Sequence, residues 1–340
     1  LLEARSFSVS STEVPTKIDI AFYVAPIING LIRFGDMNEK REFFYTLTDY
    51  DNSQTFVRIV RGEERVETVY QKVARESISV KTKQDNAVKK VLPILQNRIE
   101  SNGLDKNKII ICKTSKTDPD EVPKTVTGLV AMKLSVIYNK PVLVLRPVFS
   151  GKDVLYAGSG RASAADGFDS FKDFLGSSGL VNYAAGHDMA FGSGLPEGNI
   201  PLLVEHANKV LADVDFGSST VEVDAHFEGS IPKDLLMEFA EVNYLYGNGI
   251  PQPKFLFDLL ISPQDFTTLG AKKTTLKIDR NGTEFIAFWA SDYIEELSKI
   301  ERNGLVRILG RPQINEFRGR KNLQIVIDYL EVDEEEVSLF

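Results

Sequence analysis

A chain of 340 residues, 43% hydrophobic and 26% charged, has material for two or three cored domains and is excluded from the disordered and collagen-like classes. Its net charge of −8 argues against indiscriminate nucleic-acid binding but leaves room for local basic stripes. The single cysteine, Cys112, excludes an internal disulfide and a cysteine zinc cluster and suits a reducing, cytoplasmic compartment.

No apolar run is long enough to span a membrane. The first residue is Leu and no signal-peptide pattern follows, so the numbering is expected to begin inside a longer protein. From Lys17 to Leu47 apolar residues recur at helical spacing, and Pro26 predicts a break or kink near Ala25. Helix after Pro26 puts Asn29 and Arg33 on one face, either as outward polar positions of a core helix or as paired donors. Asp51 to Leu104 reads as polar helix without strand alternation. Lys72, Arg75, Lys81, Lys83, Lys89 and Lys90 outnumber Glu76 and Asp85 there, as a solvated face or the border of a nucleic-acid track.

A β/α pattern begins at Lys108: strand at Ile109–Cys112, helix at Gly128–Tyr138, strand at Pro141–Leu145. Such alternation predicts a mainly parallel sheet. Two glycine-rich turns come next, Gly158-Ser159-Gly160-Arg161 and Gly186-His187. Glycine lets backbone N–H groups approach a ligand, and successive N–H groups favour anions. Arginine adds a planar fork matched to phosphate oxygens. Ser159, Gly160, Arg161, Gly186 and His187 are therefore a candidate anion site, weighed against two plain turns and a structural histidine. The first turn departs from the dinucleotide fingerprint at Ser163. Helices are expected at Phe168–Leu175 and Pro201–Leu211.

The character changes at Val221. Val221–Phe227 alternates as a strand, and Pro232–Tyr244 reads as a helix. Strands follow at Phe255–Ile261, Thr274–Asp279, Thr283–Trp289, Leu305–Pro312 and Leu323–Val332, with Asn281-Gly282 as a hairpin signal and a helix at Asp292–Ile300. Short strands with one helix predict a small barrel of the OB type, which commonly binds single strands. In its last hairpin Arg307, Arg311, Arg318, Arg320 and Lys321 face one acid, Glu316, with Phe317 among them. That composition suits a single-strand groove, or an edge hairpin kept soluble by charge.

These stretches together resemble RecJ-type single-strand-specific 5′→3′ exonucleases of the DHH phosphoesterase superfamily. The resemblance rests on Val24-Ala25-Pro26 to Gly35, Thr125–Ala131, Gly158–Ser163, Ala185–Gly192, Leu245–Phe255 and Asn315–Gln324. It departs from the family pattern at Ile27, Ala162 and Ala185, and the histidine usual before Thr125–Ala131 is missing. It implies a substrate-binding role for Asn29, Arg33, Ser159, Gly160, Arg161, Gly186 and His187, with His187 at the next or scissile phosphate. DHH enzymes hydrolyse phosphodiesters with two divalent ions, Mn2+ or Mg2+, and no Asp-His-His occurs here. Asp224-Ala225-His226 matches a structural strand step of the family instead. The ligands are thus expected upstream of residue 1, and this fragment alone is expected to be inactive.

The expected organisation is a helical connector (1–104), an α/β substrate-binding domain with a mainly parallel sheet (105–217), an OB-like β-barrel (218–332) and an acidic tail (333–340). The expected function is the substrate-binding part of a 5′→3′ single-stranded DNA exonuclease serving DNA repair and recombination. The alternatives are a non-catalytic single-strand-binding module and a DHH phosphodiesterase of oligonucleotides or cyclic dinucleotides. Single-stranded DNA is the expected partner, without a membrane. Glu336-Val337-Ser338-Leu339-Phe340 resembles the peptide by which bacterial replication proteins dock on the sliding clamp, a second expected partner set against a merely solvated tail.

Overall fold

The computed structural model describes all residues except 6–14, 49–51, 119, 151–152, 164, 218–220, 248, 318–319 and 334–340. It divides into two compact units, Leu1–Thr220 and Val221–Phe340. No helix among the described residues is long and apolar enough to cross a membrane.

In the first unit, a Thr16–Asp19 capping box starts the single turn α1 (Lys17–Asp19). The chain then runs through a π-helical turn, Ile20–Val24, into α2 (Ala25–Phe34). Pro26 sits in the first turn of α2, where an amide donor is not needed. The break expected near Ala25 is therefore a change of helix type, bridged by the Ala25 amide donating to the Ile20 carbonyl. An Asp36–Glu39 capping box starts α3 (Met37–Tyr45).

The stretch read as helix without strands holds a hairpin, β1 (Thr55–Val60) with β2 (Glu63–Thr68). Arg61 and Gly62, with φ of 53° and 86°, make the two-residue turn, which a positive-φ glycine favours. Thr55, Val57, Ile59 and Val66 supply strand propensity that a polar average conceals. Helix α4 (Val69–Ser101) follows, burying a stripe of Val73, Val80, Val88, Val91, Leu95 and Ile99.

Five strands form the sheet of this unit: β3 (Ile110–Lys113), β4 (Val142–Ser150), β5 (Asp153–Arg161), β6 (Tyr183–His187) and β7 (Ala190–Pro196). Their order is β3-β4-β5-β7-β6. The sheet is mixed, not mainly parallel: only β3–β4 is parallel, while β4–β5, β5–β7 and β6–β7 are antiparallel. Two residues separate β4 from β5 and two separate β6 from β7, far too few for the crossover that a parallel pair needs. One side of the sheet (Ile110, Cys112, Val142, Val144) packs on α4 and on Val130, Ala131 and Leu134 of α5 (Thr127–Tyr138). The other (Leu143, Leu145, Tyr156, Phe191, Leu195) packs on α6 (Phe171–Ser177) and α7 (Asn199–Val210).

The second unit is one seven-stranded sheet: β8 (Ala225–Glu228), β9 (Phe255–Ile261), β10 (Phe266–Leu269), β11 (Thr275–Arg280), β12 (Thr283–Ala287), β13 (Gly304–Phe317) and β14 (Arg320–Asp333). The order is β10-β11-β12-β14-β13-β9-β8, with α8 (Lys233–Glu241) after β8 and α9 (Ser291–Leu297) between β12 and β13. Strand β9 alternates strictly, burying Phe255, Phe257, Leu259 and Ile261. These join Leu236, Phe285, Ile308 and Ile325 in a single core, where each large side chain contributes about 1.5–3 kcal/mol of burial. Asn281 and Gly282, with φ of 52° and 70°, make the expected turn between β11 and β12.

Candidate functional site

The glycine-rich segments read as turns are strands. Gly158, Ser159, Gly160 and Arg161 close β5, and Gly186 and His187 close β6. Gly158 therefore serves close packing rather than a nest of N–H groups: a Cβ there would lie 1.9 Å from the Val144 carbonyl oxygen. Gly160 likewise admits the Phe191 ring, and Gly186 holds φ +138° at the end of its strand.

Strand register then sets the site. Arg161 faces Ala190 on β7, which faces His187 on β6; Ser159 faces Gly192, which faces Ala185. Residues in register share a face, so Ser159, Arg161 and His187 lie on one side, over small residues only. Two strand spacings put His187 about 10 Å from Arg161. Asp188 anchors the His187 end, accepting from Lys172 Nζ (3.0 Å) and Ser170 Oγ (3.1 Å). The Lys172 ammonium, then Ser170, hold its carboxyl below the usual range.

Helix α5 meets this face end-on. Thr127 Oγ1 and Ser159 Oγ are hydrogen-bonded at 3.0 Å. The bare Cα of Gly128 leaves room for Arg161, since a Cβ there would lie 2.8 Å from Nη2. The first-turn amides of α5 add partial positive charge. Arg161 is half-buried, and its Nη1 donates to the Gly160 carbonyl (2.6 Å); no carboxylate partners it among the described residues. Desolvation, then the nearby Arg33 charge, pull its pKa below the usual guanidinium value. Arg33 lies exposed near the end of α2, which packs on the turn Lys124–Val126 ahead of α5. The structure thus brings Arg33, Ser159 and Arg161 together, with His187 along the same face. Asn29 is exposed one turn earlier on α2.

The basic hairpin of the second unit is less free than its composition. Arg307 makes a two-pronged ion pair with Asp258 of β9 (2.9 and 3.1 Å), and Arg311 makes one with Asp328 of β14 (2.7 and 2.6 Å). Arg307 and Lys321 are also far apart. Arg307 pairs in register with Glu331 while Lys321 pairs with Glu316, about 30 Å further along the ribbon. Phe317 and Arg320 form the last described pair; their side chains and Arg318 lie outside the described residues. So does Glu336–Phe340, the expected clamp-binding peptide, and no comparison supports that partner.

Residues 228–329 match the RecJ OB domain. The solved structure of Thermus thermophilus RecJ in complex with Mn2+ superposes with a TM-score of 0.65 at 20% identity, covering 98% of this chain and 44% of that one. Its Mg2+ complex gives 0.64, with 46% of that chain covered. YorK of Bacillus subtilis (strain 168), which carries the name of an SPbeta prophage-derived single-strand DNA-specific exonuclease, is 28% identical over 316 residues. The same figures hold for its counterpart in Bacillus phage SPbeta. In fold the chain is similar to RecJ. It spans about half the length of these curated relatives, 92% of its own residues against 54% of theirs.

Among the described residues, no group of three or more His, Cys, Asp or Glu side chains is placed to hold a metal. The described residues therefore offer no ligand cluster for divalent ions such as those of the RecJ complexes. Asp224 and His226 have strand-edge roles: Asp224 accepts from the Lys254 amide, and His226 Nε2 lies 3.0 Å from Asp258. Sequence reasoning singled out Thr125–Ala131 as a motif but did not place Thr127 and Gly128 in the site. Their signal was a small-polar pair opening an apolar helix, which also fits ordinary helix capping.

Proposed function

We propose that this chain is the substrate-binding part of a 5′→3′ single-stranded DNA exonuclease, and that Ser159, Arg161 and Arg33 seat the 5′-phosphate. The observation that carries this is Arg161: a half-buried cation with no carboxylate partner among the described residues, beside a second cation, two hydroxyls and a helix N-terminus. An entering phosphate compensates both influences that lower its pKa, since it supplies charged hydrogen-bond acceptors in place of lost water and offsets the Arg33 charge. His187, Gly186 and Asn29 flank the seat, His187 meeting the next or scissile phosphate. Hydrolysis with Mn2+ or Mg2+ belongs to groups beyond these residues. The division into connector (1–104), substrate-binding domain (105–217) and OB-like domain (218–332) follows the same reading. The names of the curated relatives support the substrate class. Titrating labelled oligonucleotides that differ only in a 5′-phosphate or a 5′-hydroxyl tests it. The phosphorylated strand should bind about tenfold tighter, as one or two charge-assisted hydrogen bonds allow. Equal affinities contradict the seat.

A further inference from the structure

Trp289 is the only tryptophan of the chain, and it is 87% exposed. Its backbone holds φ 53°, a region that bulky residues avoid. Phe288 beside it is 53% exposed, with ring centroids 6.2 Å apart at 55°. Two large aromatic rings turned to solvent oppose the usual sorting of such side chains, which bury or find a flat partner.

What lies beside them indicates the partner. Strands β11 and β12 pair up to Leu276 and Ala287, and beyond that pair the Ala290 amide donates to the Thr274 carbonyl (2.8 Å). This bond brings the aromatic pair next to Lys272 and Lys273, both exposed. Lys273 also has positive φ, 51°, and its amide closes a turn on Gly270. No ion pair among the described residues engages either lysine, whereas Arg307 and Arg311 are held by carboxylates. Asp292 is a neighbouring acid, at the start of α9.

We propose that Phe288 and Trp289, with Lys272 and Lys273, form a stacking site for a single-stranded nucleic acid. A base lies on the indole face and the two ammonium groups meet its flanking phosphates. Flat faces joined to unpaired cations are the chemistry of sequence-blind single-strand binding. A purely apolar partner would leave the lysines unused. The inference rests on reading the chain as a single-strand binder, and it moves the contact in the second unit from the basic hairpin to the β11–β12 end.

The sole indole makes the test direct. Oligothymidylate is titrated against the chain while indole emission and the anisotropy of a labelled oligonucleotide are both followed. Emission should be quenched in step with binding. Trp289→Gly suits the positive φ, so it keeps the fold, and it should weaken binding about tenfold. Trp289→Phe should restore most of the affinity. The Lys272→Glu, Lys273→Glu double variant should flatten the salt dependence. Binding by anisotropy with unchanged emission and an unaffected Trp289→Gly variant overturns the site while leaving the 5′-phosphate seat intact. Emission that follows protein concentration alone assigns the patch to contact between copies and overturns it as well. If the wild-type chain binds no single strand, the broader reading fails and this site with it.

Discussion

At the scale of the residue, two arginines are kept near each other against their own repulsion. Arg161 is half-buried by the α5 N-terminus and the β5 backbone, and Arg33 reaches the same place from α2. Like charges in one place favour a bound anion and disfavour the empty state. Removing Arg33, which is exposed, should therefore separate stability from binding. Arg33→Ala is expected to leave the unfolding midpoint unchanged or raise stability by about 0.5 kcal/mol, the scale of an exposed charge pair. Affinity for a 5′-phosphorylated strand should fall at the same time. Urea titration beside oligonucleotide binding checks both, and a fall in stability as well would reassign Arg33 to packing.

At the scale of the element, what was legible in the sequence divides along physical lines. Ser159, Arg161 and His187 stood out because apolar packing does not select such side chains beside glycines. Their setting in strands was not legible, since glycine marks a turn or a close backbone approach equally well and only the neighbour decides. The β1–β2 hairpin was hidden by its polar composition, although Arg61-Gly62 marked its turn. Counting charges along the last hairpin missed Asp258 and Asp328, which lie 49 and 17 positions from the arginines they neutralise. The two faces of β5 and β7 yield a prediction. Gly158→Ala drives a methyl into the Val144 carbonyl and should lose at least about 1–3 kcal/mol of stability. Gly192→Ala meets nothing nearer than 3.6 Å and should fold as well as the wild type. Its methyl stands on the floor between Ser159 and Ala185, so phosphate binding should weaken. Denaturation curves and oligonucleotide titrations of the two variants separate these effects, and a stable Gly158→Ala would refute the close approach.

At the scale of the whole molecule, folding is tied to pH through groups that are not part of the seat. Cys112, on β3 in the core, is fully buried, and desolvation pushes its thiol up to about 12. Burial, then the hydrogen bond to Glu100, pushes Tyr138 to about 12 as well. Both groups keep their protons in the folded state when the unfolded chain has lost them, so stability is whole below the unfolded values and declines as pH rises. For Cys112 the window opens near 9.0 and closes near 12, with a slope of about 1.4 kcal/mol per pH unit. Urea unfolding across that range should show the decline, and Cys112→Ala should make it shallower. An unchanged slope would show that the thiol does not set the pH dependence.

In the proposed seat, Arg161 recognises the 5′-phosphate itself and not the strand at large. A double-mutant cycle isolates that contact: wild type and Arg161→Ala, each titrated with a 5′-phosphorylated and a 5′-hydroxyl oligonucleotide of the same sequence. Arg161→Ala is expected to lose about tenfold or more for the phosphorylated strand and little for the hydroxyl one, a coupling of about 1.4 kcal/mol or more. Equal losses for both strands would contradict it.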